Sequence, residues 1–168
     1  MKQTPSLRTI RPAALAIAHQ AGEILLRHYG KVREISQKGA HAINLVTDID
    51  KKSEHFIVRR LLKAFPDHQI LAEEGSLSKT TSPYKWLIDP LDGTTNYLHG
   101  FPFFAVSMAL EVEGEIVLGI VEAPMLRERF VAERKKGATL NGKRIRVSKE
   151  EDLSKSLLAT GFPYDVRM

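Results

Sequence analysis

Two short apolar runs in this chain each deliver the backbone into a carboxylate. Gln69-Ile70-Leu71-Ala72 leads into Glu73-Glu74, and Lys85-Trp86-Leu87-Ile88 leads into Asp89. Pro90 then turns the chain, Asp92 returns a second carboxylate three residues on, and Gly93 permits a tight turn into Thr94-Thr95. The backbone N–H groups of Gly93, Thr94 and Thr95 sit at an expected helix start, where free amide donors suit an anion and phosphate above all. Carboxylates beside a phosphate cradle would repel the substrate. A divalent cation removes that conflict, and hard oxygen ligands suit Mg²⁺. The pattern points to metal-assisted phosphoryl chemistry. The plainer alternative is that Asp89 and Asp92 cap a turn in which Gly93 supplies a positive φ, and that Glu73-Glu74 is a solvated loop edge. If the two runs are strands that exit in parallel, Glu73 comes to lie beside Asp89.

Asp50 has two readings. Thr47-x-x-Asp50 fits the capping-box pattern of a helix start, and a helix terminus facing the carboxylates would also let Asp50 take a proton from water through a hydroxyl. Other chemistries find little support. With no cysteine there is no disulfide, thiolate zinc site, iron–sulfur cluster or cysteine nucleophile. The six histidines show no pair at i,i+4 ligand spacing. Neither a G-x-S-x-G elbow nor a phosphate-binding G-x-x-x-x-G-K-[ST] loop nor G-x-G-x-x-G occurs, which disfavours serine hydrolases and the common nucleotide folds.

The elements that must position these groups are legible from periodicity. Ile10, Ala14, Ile17, Ala18, Ala21, Ile24 and Leu25 recur at helical spacing over residues 10–29, with Pro12 in the first turn and Gly30 past the end. Residues 31–42 are polar and read as loop. Thr47-Asp48-Ile49-Asp50 opens a second helix with Phe56, Ile57, Leu61, Ala64 and Phe65 as its stripe, and Pro66 stops it. Beyond Pro66 the period becomes strand-like. Strands are expected over residues 69–72, 85–88, 105–112, 115–122 and 129–133, followed by a hairpin at Asn141-Gly142 and a last apolar strand at Leu157-Leu158-Ala159. Two helices followed by hairpin-linked strands make an α+β fold, an antiparallel-dominated sheet covered by a helix pair. Its expected core packs Ile17, Ala21, Ile24, Phe56, Ile57 and Leu61 against Val106, Met108, Leu110 and Val121.

The 168 residues, 43% hydrophobic and 27% charged, are those of a globular domain. No run approaches the ~18 apolar residues of a membrane span, and the N-terminus has no apolar signal core, so a cytoplasmic location without membrane association is expected. The net charge of +5 concentrates between Arg127 and Lys149, where basic residues outnumber acidic ones nine to two. With Phe130 its one aromatic and no RNA-recognition pattern, this stretch reads as a solvated hairpin face. An attraction for RNA or an acidic protein surface is the alternative, which would make the chain a binding module without turnover.

Leu71-Ala72-Glu73-Glu74-Gly75 and the block from Trp86 to Pro102, with its pattern W-x-I-D-P-x-D-G-T-x-N, closely resemble the inositol monophosphatase family. Asn44 to Asp50, Gly137 to Gly142 and Gly161-Phe162-Pro163-Tyr164-Asp165 are similar to further motifs of that family. The resemblance runs from about residue 10 to the end. It implies a Mg²⁺-dependent, lithium-sensitive phosphatase of a small phosphorylated polyol or sugar, with Mn²⁺ as a substitute metal, acting through water and commonly as a homodimer. On that analogy Glu73, Asp89, Asp92 and the backbone carbonyl of Leu91 hold the metal ions. Asp92, Gly93, Thr94 and Thr95 bind the phosphate and substrate. Asp50 and Thr94 orient the attacking water, and Glu73 joins them in the catalytic set.

The resemblance implies myo-inositol monophosphate as substrate. Sister activities on fructose 1,6-bisphosphate, histidinol phosphate and 3′-phosphonucleotides share the same motifs. It also implies that residues 1–168 are an N-terminal domain, since family members continue into an α/β domain that brings a further aspartate in W-D-x-A-A-G and completes a layered αβαβα fold. That domain is absent from the given chain, whose one tryptophan is Trp86. Residues 1–168 alone are accordingly expected to bind Mg²⁺ or Mn²⁺ weakly and to show little phosphatase activity.

Overall fold

The computed structural model describes residues 6–31, 35–37, 45–75 and 80–159. Helix α1 (Leu7–His28) buries Ile10, Ala14, Ile17, Ala18, Ala21 and Leu25 on one face, and α2 (Asp48–Ala64) buries Ile49, Ile57 and Leu61. Helix α1 starts three residues before the expected boundary. Pro12 therefore sits inside the helix, on its exposed side, rather than in the first turn. Gly30 follows with φ +72°, the left-handed conformation that ends helices. In a short antiparallel pair, β1 (Ile35–Gln37) with β2 (Leu45–Thr47), the first strand falls within the segment read as loop. Its polar residues carry no alternation that would have announced it.

The main sheet has seven strands in chain order: β3 (Gln69–Ala72), β4 (Tyr84–Asp92), β5 (Ala105–Val112), β6 (Glu115–Ala123), β7 (Glu128–Glu133), β8 (Gly137–Leu140) and β9 (Lys143–Ile145). Only β3 with β4 is parallel, and the rest is an antiparallel meander. The fold is thus α+β, with the helix pair on one sheet face. Among the described residues no helix is long and apolar enough to cross a membrane.

The sheet face under the helices is set by strand period. Val106, Met108 and Leu110 of β5 and Leu118 and Ile120 of β6 are buried in the core under α1, while α2 packs on β4. Val121 is a correction to the expected core. It pairs with Ser107 on the opposite face, because the buried register of β6 runs through even positions and ends at Glu122. Ile24 and Phe56 are half-buried flanks of the helical stripes rather than their centres, while Ile17, Ala21, Ile57 and Leu61 are core. The expected strand at Leu157 to Ala159 does not form. The chain there is irregular after a short 3₁₀ turn at Leu153–Lys155, with Leu157 and Leu158 exposed.

Candidate active site

Parallel pairing of β3 with β4 places the carboxyl end of β3 beside the middle of β4, with Ala72 opposite Ile88. The next residues are Glu73 and Asp89, and the Glu73 N–H donates to the Ile88 carbonyl at 3.0 Å. The two side chains lie in hydrogen-bonding contact. Burial, then the charge of Glu73, then that of Asp92, push the Asp89 carboxyl up to about 7. Such a pair holds a proton that a cation could displace. Strand β4 does not end at Asp89, as the sequence suggested, but continues to Asp92 with its register broken between these two residues. The irregularity lets Asp89 Oδ1 accept from the Leu91 N–H at 3.1 Å.

Gly93 follows with φ +89°, and α3 (Thr94–Leu98) starts at once. As at any helix start, its first amides have no intrahelical acceptor. A Cβ on Gly93 would lie 3.0 Å from the Phe103 carbonyl oxygen and 3.4 Å from the Phe104 Cα. Gly93→Ala is therefore expected to cost about 1–3 kcal/mol of stability through left-handed strain alone, and to shift the turn that carries Thr94. Denaturant unfolding of the full-length protein checks this.

Thr94 Oγ1 lies 3.1 Å from Asp50 Oδ1 and 3.0 Å from the Leu91 carbonyl oxygen. One hydroxyl proton thus faces two acceptors. Asp50 is 1% exposed at the start of α2. The capping role open to Thr47 concerns a side chain outside the described set. Two further residues of α2, absent from the sequence reading, also reach this region. Ser53 Oγ donates to the Pro90 carbonyl at 3.0 Å, and Glu54 Oε2 accepts from the Glu74 N–H at 2.8 Å. Their i+3 and i+4 spacing from Asp50 is the signal that could have found them.

Asp92 is exposed. It lines a cavity of about 300 Å³ with Gly93, Asn96, Phe103, Phe104 and Phe130, whereas Glu73 and Asp89 line a neighbouring depression. Thr95 is exposed in the first turn of α3. Among the described residues, no three acidic or imidazole side chains already converge as a metal cage. The donors that are together, the Glu73 and Asp89 carboxyls with the Leu91 carbonyl close by, are all hard oxygens, and the crowding of two carboxyls fits a divalent cation. Asn44 and the Gly161-Phe162-Pro163-Tyr164-Asp165 motif lie outside the described residues. A separate cavity of about 720 Å³ between α1 and strands β6 to β8 surrounds His19, Glu122 and Arg129 and includes none of these groups.

The raised Asp89 carboxyl also sets a pH dependence. Its folded value, about 7, exceeds the ordinary 3.8, so between these values the folded state binds a proton that the unfolded state has lost. The metal-free protein is expected to gain stability from this group in acid and to lose it as pH rises from about 4 to about 7. Mg²⁺ should restore stability most at the upper end. Thermal unfolding across that range, with and without Mg²⁺, checks both statements.

The sequence profile of the Inositol monophosphatase family matches residues 6–168. The chain belongs to the inositol monophosphatase family. It is 44% identical over 154 residues to the Nus factor SuhB of Pseudomonas aeruginosa, covering 90% of this chain and 57% of that protein. It is 41% identical over 165 residues to inositol monophosphatase 3 of Solanum lycopersicum, covering 95% and 60%. Among solved structures, the extragenic suppressor protein suhB from Bartonella henselae is 42% identical with a TM-score of 0.80, over 84% of this chain and 55% of that one. An IMPase/NADP phosphatase complexed with NADP and Ca²⁺ is 27% identical with a TM-score of 0.75, over 85% and 55%. The chain thus spans under two thirds of the length of the family members it matches.

Proposed function

We propose that the protein of which this chain forms the N-terminal domain hydrolyses a small phosphomonoester with the help of divalent cations, Mg²⁺ in the first place. An inositol monophosphate is the first-choice substrate. The observation that carries this reading is the Asp50–Thr94–Leu91 hydrogen-bond chain standing next to the Glu73–Asp89 pair. Family membership supports phosphatase chemistry, and the Ca²⁺ in a related structure supports a divalent-metal requirement.

On this reading Glu73, Asp89, Asp92 and the Leu91 carbonyl hold the cations, and Gly93, Thr94 and Thr95 receive the phosphate through backbone N–H groups. Bound cations would polarise the phosphate oxygens and offset charge on the leaving alkoxide. The chain's own residues handle the proton. With its hydrogen directed to Asp50, the Thr94 hydroxyl oxygen has a lone pair free to accept from a water, and the buried Asp50 carboxylate draws that proton onward. Asp92, beside Gly93 at the mouth of the aromatic-walled cavity, is placed to accept from a hydroxyl of the substrate.

The test is turnover of a panel of phosphoesters by the full-length protein with Mg²⁺: inositol monophosphate, fructose 1,6-bisphosphate, histidinol phosphate and a 3′-phosphonucleotide. Preference for inositol monophosphate is expected, and preference for the nucleotide would overturn the substrate choice. A homodimer, the common state of this family, is expected by light scattering.

A second reading has its own observation. Lys143 and Arg144 of the edge strand β9, and Arg146 and Lys149 in the segment after it, are exposed, and no ion pair engages them among the described residues. Together with relatives named as Nus factors, this favours attraction to RNA or an acidic protein surface. It predicts binding that weakens steeply with salt and survives Asp89→Asn.

A further inference from the structure

Helix α2 carries three polar side chains in the protein interior. Asp50, Ser53 and Glu54 are 1%, 0% and 4% exposed, and their i, i+3, i+4 spacing puts them on one face. The helix has no need of them for packing, since Ile49, Ile57 and Leu61 supply its apolar contacts. A buried carboxylate is costly unless its oxygens are matched to donors, so its presence here calls for a reason beyond stability. Each of the three engages a different segment of the candidate site: Asp50 the Thr94 hydroxyl, Ser53 the Pro90 carbonyl, Glu54 the Glu74 N–H.

The bonds of Ser53 and Glu54 fall where the sheet stops controlling the backbone. Glu73 is the last residue held by β4, through its N–H to Ile88. The next N–H, that of Glu74, is taken by Glu54. The sheet thereby pins the peptide plane before Glu73 and the helix pins the one after it, and the two planes together fix the direction in which the Glu73 side chain leaves. In β4 the ladder with β5 is interrupted between Asp89 and Asp92, and the Pro90 carbonyl in that gap is held by Ser53. A single rigid helix face therefore spans the two segments bearing Glu73 and Asp89–Leu91.

We propose that Ser53 and Glu54 are positioning residues that set the spacing of the Glu73, Asp89 and Leu91 oxygens for a divalent cation. The inference rests on the proposed metal-dependent reading of this site. Neither residue touches substrate or reacting atoms; each acts through the backbone it holds. Groups that orient ligands in this way typically carry about 10–100-fold of metal affinity.

The test uses full-length protein, with Mn²⁺ affinity read by the electron paramagnetic resonance of free Mn²⁺, alongside thermal unfolding and the Mg²⁺ dependence of turnover. Glu54→Leu is expected to weaken Mn²⁺ binding at least tenfold and to raise the half-saturating Mg²⁺ in step. Glu54→Gln keeps an oxygen that accepts the Glu74 N–H and is expected to stay within about threefold of the parent. Ser53→Ala removes one hydroxyl and decides the matter if Glu54→Leu does not fold; a loss of about three- to tenfold is expected. If Ser53→Ala and any folded Glu54→Leu bind Mn²⁺ as the parent does, whatever their melting temperatures, both residues are merely structural and the proposal fails. A Glu54→Gln variant as impaired as Glu54→Leu would replace positioning by a charge effect, and also overturn it. A parent protein that binds no Mn²⁺ overturns the metal reading itself, a distinct result.

Discussion

Asp89→Asn is expected to lose turnover by roughly a thousandfold or more and to lose its response to Mg²⁺, while the metal-free protein unfolds at the same temperature or higher. The asparagine keeps the shape of the side chain and an Oδ1 able to accept the Leu91 N–H at 3.1 Å. What it removes is the ionisable group that burial, Glu73 and Asp92 together push up to about 7. Electrostatically this carboxyl is a cost to the folded state at neutral pH. A residue retained for folding would take stability away when replaced, whereas one retained to hold a cation leaves a more stable apo protein and an inert enzyme. Phosphate release from inositol monophosphate and thermal unfolding with and without Mg²⁺ distinguish the two. Full turnover in the variant, or a lowered apo melting temperature with the Mg²⁺ response intact, would remove Asp89 from the metal set.

Much of this geometry was legible because each apolar run leads directly into a carboxylate in the chain. Ala72-Glu73 and Ile88-Asp89 are each an apolar run ending in an acid, and parallel pairing of the two runs follows naturally from a common buried face. The Asn141-Gly142 turn likewise joins β8 to β9 as its residue types require. Val121 was misplaced for a reason that periodicity cannot repair. Every residue from Ile116 to Val121 is apolar or glycine, so either register of β6 offers a hydrophobic face, and the choice is made by β5 and α1. Helix α1 reaches Glu122 directly, since a Cβ on Gly22 would lie 3.2 Å from the Glu122 Cγ. The β1–β2 pair escaped because its strands are three residues long and lack alternation. Ser53 and Glu54 escaped because polar residues on a helix are ordinarily read as its wet face. Only the three-dimensional course of β3 and β4 shows that this face is dry.

The hydroxyl of Thr94 and the carboxylate of Asp50 are expected to behave as one device. Thr94→Val keeps the volume and removes the hydroxyl that links Asp50 to the Leu91 carbonyl, at 3.1 and 3.0 Å. Asp50→Asn keeps a polar partner but removes the proton acceptor. If water is deprotonated through Thr94 to Asp50, each variant breaks the same transfer, and each should lower kcat by about 10²–10⁴-fold with little change in Mg²⁺ dependence. The stability cost of losing the hydroxyl bond is about 1 kcal/mol, small against that kinetic effect. The double variant then carries the decisive information. Groups that act in one step are strongly non-additive, so it should be no slower than the worse single variant by more than about threefold. Losses that multiply would mean that Asp50 and Thr94 serve separate steps, with Asp50 acting as a helix-start residue and Thr94 as part of the phosphate cradle alone. Retention of kcat in Asp50→Asn would eliminate the proton route and leave the water to be activated without help from α2.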